Sequence, residues 1–142
     1  MLTVLAVAAM GAVGSLGSTA PALASTASFD VSVYHSTGVL SGRMTGDFRR
    51  LNQSVTITNI EQWVRAGECS YGSFEGWQYN PTGGSPHLDT RTSRKRCASA
   101  NTWFEPEDFT LDAKGVTGGI NTVQIYLIDG EHGRDGYGEG VR

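Results

Sequence analysis

The stretch TVQIYLI, residues 122–128, sets the fold class. Val123, Ile125 and Leu127 fall on one side of an extended chain, and Thr122, Gln124 and Tyr126 on the other. Strict alternation of this kind is the period of a half-buried β-strand. Gly118 and Gly119 precede the stretch and Asp129-Gly130 follows it, so turn residues bound it at both ends. The signature recurs upstream, where Phe29, Val31 and Val33 alternate with Asp30, Ser32 and Tyr34. Val55 and Ile57 alternate with Thr56 and Thr58, and then the apolar positions move to Ile60 and Val64. That change of phase predicts a bulge or bend near Asn59. Cys69, Tyr71, Trp77 and Tyr79 share one parity while Phe74 takes the other.

Residues 43–50 read as a polar, exposed strand, and Thr102–Phe104 and Phe109–Leu111 as short strands. Residues 61–66 have room for one helical turn at most, and no helical period lasts three turns anywhere. About seven short strands with frequent turn signals predict an all-β fold, a small antiparallel β-sandwich.

Outward to the N-terminus, residues 2–13 are mostly apolar and the first charged residue is Asp30. Small residues at Ala22 and Ala24 suit a signal peptidase, so residues 1–24 are read as a secretory signal cleaved after Ala24. No Lys or Arg precedes the apolar run, which points to a start further upstream. Gly, Ser and Thr interrupt the run well short of the ~20 apolar residues of a membrane span, so the mature form is expected to be free of the membrane. Residues 25–142 are then one secreted domain. Cys69 and Cys97 are the only cysteines, and in an oxidising compartment a lone pair is expected to form a disulfide.

The net charge of −3 argues against nucleic acid or an anionic membrane as the general partner. Arg91, Arg94, Lys95 and Arg96 crowd beside Cys97, and a basic residue held next to a disulfide can enter the acid-bearing pocket of a trypsin-like enzyme. A serine-protease inhibitor using residues 91–96 is therefore one reading. Trp77 and Tyr79 stand in a run dense in aromatics and are candidates for stacking on a sugar or anchoring a protein. Asp129, Glu131 and Asp135 place oxygen ligands on a glycine-rich tail that can hold Ca²⁺, although the spacing is not that of an EF-hand. A solvated turn is the plainer reading of that tail, and no metal or cofactor is expected.

Glu105, Glu107 and Asp108 could serve hydrolysis only beside a cleft, and Pro106 makes their segment a turn. His35, His87 and His132 lie in no nucleophile frame, and His35 and His87 read as exposed loop residues. No catalytic residue is assigned, and the chain is not expected to be an enzyme.

The layout as a whole carries a resemblance. GECSYGSFEGWQ, residues 67–78, puts the first cysteine on an aromatic strand, and the second cysteine follows a polar loop. GGINTVQIYLID, residues 118–129, forms a late strand before a glycine-rich, charged tail. In this the chain resembles small secreted β-sandwich proteins of filamentous Gram-positive bacteria. Among them it is similar to the adaptor subunits of umbrella-shaped toxin particles, which join a lectin-like subunit to the stalk of a larger chain. The resemblance implies a non-catalytic binding module in an extracellular assembly, with another secreted protein as partner. The flanks at residues 25–28 and 130–142 suit strand addition at a terminus. Neither flank is expected to carry core residues.

Overall fold

The computed structural model describes residues 26–130 and 133–140; the leader read at residues 1–24 lies outside them. Ten strands follow one another in the described residues: β1 (Thr26–Tyr34), β2 (Leu40–Leu51), β3 (Ser54–Val64), β4 (Cys69–Trp77), β5 (His87–Thr92), β6 (Arg96–Cys97), β7 (Thr102–Phe104), β8 (Phe109–Leu111), β9 (Thr122–Asp129) and β10 (Arg134–Gly140). They build two antiparallel sheets and no helix. Sheet A has the order β1-β2-β3-β7, with β8 also on β3; sheet B has the order β10-β9-β4-β5, with β6 also on β4. The outermost strand of each sheet is thus broken in two. β7 and β8 pair with opposite ends of β3, and β5 and β6 with opposite ends of β4. Cys69 and Cys97 face each other across β4 and β6 and are joined by a disulfide.

The core lies between the sheets. Val31 and Val33 of β1, Val55 and Ile57 of β3, and Val123, Ile125 and Leu127 of β9 are all buried, as their alternation predicts. Phe29, Phe48 and Phe74 meet at its centre, with ring centroids 5.1 Å apart for Phe29–Phe48 and 5.8 Å for Phe29–Phe74. Each such side chain contributes on the order of 1.5–3 kcal/mol by leaving water.

Two expectations need correction. The stretch at 43–50 is an interior strand, because Met44 and Phe48 are fully buried and their polar neighbours point outward. Gly46 sits between those two, and a Cβ on it would stand 2.6 Å from the Phe29 ring, so the glycine makes room for that ring. β3 continues to Val64, so residues 61–64 are extended, within the limit of one helical turn at most. Gln62 is buried there and donates through Nε2 to the Ser70 carbonyl at 2.8 Å and to Ser70 Oγ at 2.9 Å.

The C-terminal segment also differs from expectation. Residues 134–140 are not a tail but β10, paired along β9, which puts β9 in the interior of its sheet and not at an edge. A Cβ on Gly136 would lie 2.0 Å from the carbonyl oxygen of Ser32 in β1. β10 and β1 therefore approach at backbone distance and close that side of the sandwich.

The bulge predicted near Asn59 is present. Pairing steps from Thr45↔Glu61 to Asp47↔Thr58, so β3 carries one more residue than β2 there. Asn59 takes a φ of 52°, in the left-handed region that Asn tolerates. The extra residue keeps Ile57 and Ile60 on the same buried face.

Candidate functional site

The bulge shapes the outer face of sheet A. Because β3 bends at Asn59 and the 105–108 connection spans the gap between β7 and β8, a groove of about 800 Å³ opens over Gly46. Phe29 and Ile60 lie at its floor, and the carboxyl-bearing residues Asp30, Asp47, Glu61, Glu105 and Asp108 line it. No Lys or Arg is among its lining residues in the described part of the chain.

Local hydrogen bonds hold several of these carboxylates in place. Arg43 Nε donates to Asp30 Oδ1 at 2.9 Å and Nη2 donates to Oδ2, a two-pronged contact. That hydrogen bond outweighs the opposing effect of burial and, with a lesser contribution from the guanidinium charge, holds Asp30 below the usual carboxylate range. Asn59 Nδ2 donates to Asp47 Oδ2 at 2.8 Å, and Ser28 Oγ donates to Asp47 Oδ1 at 2.8 Å. These bonds, that of Asn59 first, lower the Asp47 pKa as well. Asp108 Oδ1 accepts from the Asn59 backbone N–H at 3.1 Å, tying the 105–108 connection to the bulge.

An aromatic pair adjoins the groove. Arg43, Trp63 and Trp103 follow one another in register across β2, β3 and β7. Glu61 lies two residues from Trp63 along β3 and shares its outward face. Trp103 keeps 52% of its surface exposed.

The basic residues predicted as a site lie on the other side of the same connection. Arg91, Arg94 and Arg96 line a second groove, of about 450 Å³, with Glu107 and Phe109 on its far wall. Pro106 and Asp108 border both grooves. The arginines are thus set in a concavity, where Arg91 Nε lies 3.6 Å from Asp89 and the Arg96 guanidinium sits 5.5 Å from the centre of the Phe104 ring. Lys95 leaves this group: its stem lies against Gly130, whose added Cβ would be 2.7 Å from Lys95 Cε.

Trp77 and Tyr79 are at the opposite end of β4 from β6 and join neither groove. Trp77 is half-buried, packs edge-on against His87 and donates its indole N–H to Glu75 Oε2 at 3.2 Å. Tyr79 is 46% exposed, and its backbone exchanges hydrogen bonds with the Asn121 amide.

For the proposed Ca²⁺ ligands, Glu131 and the side chain of Asp135 lie outside the described residues. Asp129 is buried at the end of β9 and not in a solvated turn. His87 is exposed as expected, whereas His35 is half-buried and lies 3.0 Å from Glu68.

Most of the acidic groove is not legible in the sequence because its carboxylates come from four distant segments. Two signals did exist. The cluster at 105–108 and the phase change at Asn59 are both visible in the sequence, but only the fold places one against the other. No protein-family model, curated protein or solved structure matches this chain.

Proposed function

We propose that this chain is a secreted, non-catalytic binding domain that docks a basic segment of another secreted protein, as a component of an extracellular assembly of the adaptor type. The observation that carries the reading is the groove on sheet A. Several carboxylates line it with no lysine or arginine among them, and a half-exposed tryptophan stands beside it. Such a surface is complementary to a Lys/Arg-bearing peptide. Charge supplies steering and register, and the exposed indole at the side of the groove adds an anchor. Asp47, whose pKa is lowered by neutral hydrogen-bond donors, stays anionic well below neutral pH, whereas the charge of Asp30 is already met by Arg43.

Carbohydrate binding is the second reading, favoured by the cross-strand Trp63–Trp103 pair, since a sugar stacks on an exposed indole. Salt separates the two. Attraction between exposed charges is screened within about 8–10 Å at physiological ionic strength, whereas stacking on a neutral sugar is not. The test is capture from culture medium with the immobilised mature chain, run beside a Glu61→Gln/Glu105→Gln variant and a Trp103→Ala variant. A protein retained by the wild type, released by salt and lost with the charge variant supports the proposal. Retention by all three chains, or release by free sugar and not by salt, contradicts it.

A further inference from the structure

We propose that His35, Glu68 and Asp129 form a binding site for a divalent transition-metal ion of the zinc class. The three residues come from separate parts of the chain. His35 follows β1, Glu68 precedes β4 and Asp129 ends β9. Their ligand atoms nonetheless lie within 4.8 Å of one another, and His35 Nε2 stands 3.0 Å from Glu68 Oε1. Two atoms bound to one zinc at its usual 2.0–2.2 Å lie roughly 3–3.5 Å apart, so the group needs little adjustment to close on an ion.

The backbone beneath each ligand is fixed. The His35 N–H donates to the Val39 carbonyl at 2.8 Å, and the His35 carbonyl accepts from Gly38 at 2.9 Å. Glu68 donates to the Arg65 carbonyl at 3.0 Å, its own carbonyl accepts from Ala98 at 3.1 Å, and its neighbour Cys69 is held by the disulfide. Asp129 pairs with Ser70 across the sheet, and the next N–H, of Gly130, donates to the Cys69 carbonyl at 2.8 Å.

One imidazole nitrogen with two carboxylate oxygens is a borderline donor set that leaves room for water. It suits Zn²⁺ better than Ca²⁺, which takes six to eight oxygens at longer range. The site is also sheltered: Asp129 is 1% exposed, and the side chains of Glu68 and His35 are 14% and 19% exposed. Two carboxylates brought together in such a place repel each other, and a divalent cation between them offsets that repulsion. Lys95, whose stem lies over Gly130, is the nearby cation with which a metal ion competes. The metal would clamp the end of β1 and the β3–β4 turn to the end of β9, at the same end of the sandwich as the disulfide. This inference is independent of the groove on sheet A.

The test is titration of the chelator-treated, disulfide-intact mature chain with ZnCl₂ by calorimetry, together with NMR of the histidine rings. One zinc per chain, a raised melting temperature and a ring shift at His35 are expected. His35→Asn and Glu68→Gln should each weaken binding at least tenfold, and CaCl₂ should give no comparable heat. Absence of binding at millimolar zinc would overturn the site. So would ring shifts confined to the other histidines, a readout that needs only the wild-type chain should a variant fail to fold.

Discussion

Gly136 and Asp47 show how single positions set this structure in two different ways. At Gly136 the constraint is space, because the atom an alanine would add falls on the Ser32 carbonyl, and a backbone atom cannot turn aside as a side chain can. Gly136→Ala should destabilise the domain by about 1–3 kcal/mol, the usual cost of forcing atoms into a packed site, measured by urea unfolding. At Asp47 the constraint is charge. Its folded pKa is depressed, so the stabilisation it provides is present above about pH 4 and is lost as pH falls through the folded value. Asp47→Asn should therefore be less stable than wild type at pH 7, and the gap should narrow towards pH 2 in parallel unfolding curves. A gap that stayed constant with pH would rule out the carboxylate charge as its source.

At the scale of elements, the sequence is legible wherever one face of a strand is apolar. Val123, Ile125 and Leu127 reveal β9, and Phe29, Val31 and Val33 reveal β1. The bulge in β3 is equally visible, since an apolar phase cannot move from Ile57 to Ile60 without an extra residue in the strand. β10 gives no such sign. Its sequence RDGYGEG has no apolar alternation, and the position facing β1 is a glycine because nothing larger fits. β2 is legible only in part for the same reason, as Gly46 interrupts the alternation between Met44 and Phe48 to admit the Phe29 ring. Deleting residues 130–142 therefore removes a sheet strand and uncovers both β9 and β1. The truncated chain should lose its cooperative melt or aggregate, as followed by circular dichroism and size-exclusion chromatography. A transition at the wild-type temperature would show β10 to be dispensable.

For the whole molecule, the disulfide and the groove stand on opposite sheets and should respond to different perturbations. Cys69–Cys97 closes a separation of 28 residues between β4 and β6 in sheet B, so its removal should cost about 3.5 kcal/mol on the chain-entropy model. Comparison of the oxidised chain with a Cys69→Ala/Cys97→Ala variant by denaturant unfolding measures that cost. The sequence could supply the two sheets and the staple, but not the groove, which exists only once the 105–108 connection is laid against the bulge at Asn59. The most direct measurement of groove docking is the affinity of the captured partner as a function of salt, for wild type and for Glu61→Gln/Glu105→Gln. Docking of a basic segment requires that Kd rise steeply with salt for the wild type, and that the variant bind more weakly with a shallower dependence. An affinity indifferent to salt and equal in the two chains would contradict it.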